Sequence, residues 1–98
     1  MSERDYILGF SSYLFWDILP DSLSLETNAS YVVQRVLEYG RWNDWKLLVS
    51  YYGLDRIVQI STNLRTLDPK ALGFISVISS TSLEQFRCYT TKQSHPIL

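Results

Sequence analysis

Apolar residues recur every three or four positions through the middle of the chain. Ala29, Val32, Val33, Val36 and Leu37 fall within about 140° of a helical wheel. Glu26, Gln34, Arg35 and Glu38 mostly lie elsewhere on it. This pattern predicts a helix capped by Ser24 and stopped by Gly40, a residue free to adopt positive φ. Trp45, Leu48, Val49 and Tyr52 form a second stripe, from about Asn43 to the stop at Gly53. A third begins at Leu54, with Ile57, Ile60 and Leu64 on one face and Val58 beside them.

Asp68-Pro69 marks the next helix start, because Asp caps free N–H groups and Pro suits the first helical position. Leu72, Ile75 and Ile78 then repeat at helical spacing, with Phe74 nearby. The run FISVIS is rich in β-formers, so a strand competes here. The Asp-Pro start favours the helix. Gly73 inside it suggests a close helix contact. Thr81 and Glu84 form a capping-box pattern before Leu83 and Phe86, which are placed to pack inward.

Ahead of these helices stands YLFWDILPDSLSL, residues 13–25. Its aromatics are too dense for an ordinary loop, and Pro20 stops any helix. It reads as an irregular segment whose aromatics plug the core. The expected fold is all-α, a compact bundle of about five short helices behind an irregular aromatic N-terminal segment. Residues 1–12 are expected to be a partly ordered segment, 13–89 a single helical domain and 90–98 a flexible tail.

Ninety-eight residues suffice for one domain. At 46% hydrophobic and 14% aromatic, the chain is too apolar to be disordered throughout. The formal net charge of -1 argues against avid, nonspecific phosphate binding. One cysteine, Cys88, excludes an intramolecular disulfide and a multi-cysteine metal site. The only histidine, His95, lies beside Pro96 in the expected tail. Nothing pairs it with Cys88 as a nucleophile and base. The aspartates are scattered, and no phosphate-cradling glycine loop is present. The reading is therefore no enzyme, no cofactor and no metal, in a cytoplasmic protein. No apolar run approaches the roughly 20 residues of a membrane span.

Two surfaces remain as candidates. Tyr39, Trp42, Tyr51 and Tyr52 are potential anchors for a protein partner, since aromatic side chains concentrate at interfaces. Tyr52 and Trp45 also suit the core. The alternative is a helix-turn-helix across Gly53, with Arg56, Gln59 and Asn63 on one face of residues 54–64 and Arg65 and Lys70 near phosphates. Asp55 would oppose phosphate there. A protein partner is the favoured reading, DNA the less favoured one, and a homodimer is compatible with either. Arg35, Arg65 and Arg87 read as structural clamps, with Asp17 a candidate partner for Arg35.

The motifs LFWDI at 14–18, SL at 24–25, VVQRVLEYG at 32–40, DW at 44–45, LLVSYYG at 47–53, LRTL at 64–67 and FRCY at 86–89 stand in an order that resembles a small bacterial family, DUF6922. The resemblance implies a helical domain of uncharacterised function. Its motif positions here are Phe15, Trp16, Asp17, Arg35, Trp45, Tyr52, Gly53, Arg65, Phe86 and Arg87, and it assigns none of them a catalytic role. An aspartate-tryptophan pair of the family is Ser24-Leu25 in this chain, which keeps the cap and loses an aromatic contact. Relatives resemble small proteins encoded beside nucleotidyltransferase-like toxins, which implies an antitoxin or accessory role.

Overall fold

The computed structural model describes residues 3–16, 18 and 22–89. Asp17, Pro20, His95 and the expected tail lie outside them. The described residues are wholly helical where they are regular. The elements are α1 (Glu3–Gly9), a 3-10 turn (Ser12–Phe15), α2 (Ala29–Tyr39), α3 (Trp42–Tyr52), α4 (Leu54–Asn63), α5 (Pro69–Ser79) and a second 3-10 turn (Leu83–Gln85). The expected all-α bundle is the observed fold.

Helix α2 is the hub, packed against α3, α4, α5 and the first 3-10 turn. Its stripe explains why: Val32, Val33 and Val36 are buried, and Ala29 and Leu37 lean on the same core. Trp45, Leu48 and Tyr52 enter from α3 and Ile57 from α4. Leu14, Leu23, Leu25 and Phe86 are buried in the same cluster. Each buried Val, Leu, Ile or Phe contributes about 1.5–3 kcal/mol before entropy is charged against it. α1 lies on α3, with Tyr6 and Ile7 against the core and the Tyr6 hydroxyl 3.1 Å from Ser50 Oγ.

Several local expectations differ from the structure. Helix α2 begins at Ala29, not just after Ser24. The Ser24 hydroxyl accepts from Thr27 N at 3.1 Å, and Asn28 Oδ1 reaches back to Ser24 N at 2.9 Å. These two side chains stabilise a separate turn that competes with a helical start. Gly40 is extended, with φ -71° and ψ 158°, not left-handed. Its need is for space, since a Cβ there would stand 2.6 Å from the Val36 carbonyl oxygen. Gly53 does take positive φ, +83°, to turn α3 into α4.

Asp68 and Pro69 open α5 as expected, Asp68 Oδ2 accepting from Lys70 N at 3.1 Å. The strand alternative for FISVIS is absent. The phase of α5 differs, however. Ala71 and Ile75 face the core, while Phe74, Val77 and Ile78 are exposed. The helix is apolar on nearly every side, so periodicity could not fix which face turns inward. A Cβ on Gly73 would meet nothing within 4 Å, so no close contact within the chain accounts for it. Ser82, not Thr81, caps the last 3-10 turn, accepting from Glu84 N. Trp16, expected as a core plug, is 74% exposed.

Candidate functional site: an arginine–aromatic face

Helices α2 and α3 are joined by Gly40 and Arg41 alone. The Gly40 amide closes α2 by donating to Val36 O at 2.8 Å, and the extended chain turns directly into α3. The tight joint sets Tyr39 on one side and Trp42 on the other, 56% and 61% exposed.

A buried carboxylate fixes that joint. Asp44, in the first turn of α3, accepts from Arg41 N at 2.8 Å, from Ser11 N at 2.8 Å and from Ser11 Oγ at 2.7 Å. Its side chain is enclosed, so these donors replace the water it gave up. It holds the segment before the first 3-10 turn against the start of α3. Tyr13 of that turn is thereby brought to Tyr39, whose carbonyl accepts from the Tyr13 hydroxyl.

Arginines lie between the rings. Arg35 Nε donates to Leu14 O at 2.8 Å, and its guanidinium sits 4.9 Å from the Tyr39 ring centroid and 5.9 Å from that of Tyr31. Arg41 lies 5.7 Å from the ring of Tyr13. Cation–π attraction of about 0.5–1 kcal/mol per exposed pair orders these long side chains. The result is a continuous run of Tyr31, Arg35, Tyr39, Tyr13, Arg41 and Trp42. At its edge a cleft of about 160 Å³ is lined by Val36, Leu37, Arg41, Trp42, Trp45 and Phe74. Trp45 and Phe74 meet edge-on across it, with ring centroids 5.0 Å apart. Small-molecule sites are usually about 300–1,000 Å³, so this volume suits one inserted side chain better than a substrate.

Tyr51 and Tyr52 occupy a different corner. Tyr52 is buried, and its hydroxyl donates to Leu25 O at 2.6 Å. Burial pushes its phenol well above the usual range. Tyr51 donates to Glu26 Oε2 at 2.7 Å and stacks edge-on with Tyr52 and Tyr6. Its hydrogen bond to the Glu26 carboxylate, helped by burial, pushes the Tyr51 phenol up to about 12. Arg56 joins the same carboxylate at 2.7 Å and lies over the Tyr52 ring at 5.1 Å. Hydrogen bonds from Arg56 first, then Tyr51, hold the Glu26 carboxyl below its ordinary value.

The α3–α4 pair has a helix-turn-helix outline, yet Arg56 is tied to Glu26. The Asn63 side-chain amide donates back to Gln59 O at 2.8 Å. Gln59, Asn63, Arg65 and Lys70 are exposed. Of the family motif positions, Trp45, Tyr52 and Phe86 are core and Arg35 is the clamp on Leu14. Phe15 packs on Phe10 and Tyr31. Arg87 is exposed, and Cys88 is buried. No spacing rule in the sequence links Tyr13 or Arg41 to Tyr39. Asp44 left a signal, an acidic residue in the first turn of a helix, but not its long-range partner.

Among the described residues, no group of three or more His, Cys, Asp or Glu side chains could hold a metal ion. No described helix is long and apolar enough to cross a membrane. A model of a family of unknown function, DUF6922, matches residues 10–61, which run from Phe10 through α2 and α3 to Ser61 in α4. The chain belongs to that family. No curated protein and no solved structure matches it.

Proposed function

We propose that this DUF6922 protein is a non-enzymatic protein-binding module, an accessory or antitoxin-like component that acts by masking a partner's surface. The observation that carries the reading is the exposed run from Tyr39 to Trp42, ordered before any partner arrives. Interfaces concentrate aromatics and arginine, and their few dominant residues sit beside pockets that fill on binding. Tyr13, Tyr39 and Trp42 supply area at low entropic cost, because a phenol or indole loses few rotamers. Arg35 and Arg41 offer guanidinium groups to partner carboxylates. The adjoining cleft takes one apolar side chain.

The DNA alternative has less support. Its leading base-reader, Arg56, is engaged by Glu26, and α4 carries no second basic residue but does carry Asp55. A partner covering the Tyr39–Trp42 face requires neither a basic stripe nor a second DNA-reading helix.

The test is capture of the tagged protein from its native host, beside Tyr39→Ala/Trp42→Ala. The wild type retains one stoichiometric protein that the double variant loses. Identical captures from the two proteins would refute the reading.

A further inference from the structure

We propose that α1 is a displaceable strap, which leaves α3 as one cooperative unit while the rest of the fold stays intact, turning about Gly9. This device goes beyond the Tyr39–Trp42 reading and does not rest on it.

Glu3, Tyr6 and Ile7 fall within about 100° of the α1 wheel, and Arg4, Asp5 and Leu8 fill the other side. The first set supplies the contacts to the fold, and the second is exposed. The seat is a strip of α3. The Tyr6 hydroxyl lies 3.1 Å from Ser50 Oγ, and its ring meets that of Tyr51 edge-on at 5.1 Å. One turn on, a Cβ on Gly9 would stand 3.1 Å from Leu47 Cδ1. Position 6 thus faces 50 and 51 while position 9 faces 47, so the two helices run antiparallel. Beyond the strip, Glu3 Oε2 accepts from Leu25 N at 2.9 Å.

These attachments are few and lie near the surface. No α1 residue is fully buried, and Tyr6 and Ile7 are only half-buried. The strap has seven residues, and an isolated helix below about 12 is unstable in water. It is therefore helical only while docked, so undocking and unwinding are one event.

The chain just beyond behaves oppositely. Phe10 is buried, and Asp44 holds Ser11 by both its amide and its hydroxyl. A loose element joined to an anchored one opens at the junction. Gly9 occupies that junction with no side chain to restrict rotation. The segment matched by the family model begins at Phe10, on the anchored side of the same hinge. Release uncovers Leu47 and Tyr51 and takes from Leu25 N its acceptor. The Tyr39–Trp42 face, fixed through Ser11 and Asp44, stays as it is.

Native-state amide exchange of the full chain, read residue by residue by NMR, tests this. The amides of Ile7, Leu8, Gly9 and Leu25 should share one opening, with protection about a hundredfold or more below that of Val33 and Val36 in α2. Tyr6→Ala removes contacts to α3, yet it should lower the protection of Leu25 about tenfold, because Glu3 leaves with the strap. Ser50→Ala, which removes a single hydrogen bond, should act in the same direction on the same amides. Asn28 N, bonded to Ser24 O at 2.8 Å within the neighbouring turn, should keep its protection. Unchanged Val33 and Val36 verify that a variant is folded, and Ser50→Ala decides if Tyr6→Ala fails that check. Strap amides as protected as those of α2 overturn the proposal. So does a Leu25 amide indifferent to the folded variants, which makes Glu3 an independent contact. An equal change at Asn28 overturns it too, because the turn and not the strap is then the unit that opens. Since none of these outcomes depends on Tyr39 or Trp42, failure here is distinguishable from failure of the partner-binding reading.

Discussion

Asp44 and Ser11 are joined by two hydrogen bonds across 33 residues of chain, one from the Ser11 amide at 2.8 Å and one from its hydroxyl at 2.7 Å. The bond from Arg41 N completes a three-donor cradle around a buried carboxylate. Asp44→Ala would strand those donors and leave a cavity. The expected loss is about 3 kcal/mol, in the range for breaking a buried charged hydrogen-bond group. Urea denaturation measures it. Ser11→Ala removes only the hydroxyl and should cost about 1 kcal/mol. A cost for Asp44→Ala as small as that would deny the carboxylate its role.

The two connecting glycines respond to alanine for different reasons. Gly40→Ala drives a Cβ into the Val36 carbonyl, and the joint must shift. Gly53→Ala meets open space but stays at φ +83° and ψ 149°, a region that only glycine occupies comfortably. We expect about 1–3 kcal/mol of strain at Gly53, read from thermal unfolding. At Gly40 we expect a similar or larger cost, accompanied by reduced exposure or altered emission of Trp42. Gly53→Ala should leave the Trp42 signal unchanged.

Ser61 is wholly enclosed, and among the described residues its Oγ has no hydrogen-bond partner. A hydroxyl in that state costs about 1–3 kcal/mol of desolvation. Ser61→Ala removes it with almost no change of volume. The variant should be as stable as the wild type or more stable by about 1 kcal/mol. A loss above that amount would mean the hydroxyl is satisfied in solution.

The Glu26–Tyr51–Arg56 cluster sets a pH signature. Tyr51 is raised to about 12 by its bond to Glu26, so the cluster's phenol contribution is complete below the ordinary tyrosine range and fades as pH rises through about 12. Glu26 is lowered, so its contribution holds above the ordinary carboxyl range and fades as pH falls through the depressed value. All three groups stand close to solvent, so salt weakens both effects. Absorbance titration of tyrosinate checks the first. Glu26→Gln should return one late-titrating tyrosine toward 10, while Tyr52, raised by burial, stays late.

The fold was legible in the sequence where one face was apolar and the other was not. Val32, Val33 and Val36 against Gln34 and Glu38 phased α2 correctly, and Asp68-Pro69 placed the start of α5. Where a helix is apolar all round, as α5 is, the pattern fixed its existence but not which side is buried. The site was legible in part. Tyr39 and Trp42 are exposed candidates, while Tyr52 turned inward because its hydroxyl finds Leu25 O. The link from Ser11 to Asp44 and the stack of Arg41 on Tyr13 depend on tertiary closure. Local spacing carries no trace of them.

The central claim is that the face from Tyr39 to Trp42 meets a protein. Replacing Trp42 by photoreactive benzoylphenylalanine in the native host, with Asn63 on the polar face of α4 replaced likewise for comparison, tests it most directly. Illumination should yield one discrete protein adduct from the Trp42 site and none from the Asn63 site. DNA adducts at Asn63 with nothing at Trp42 would contradict the account.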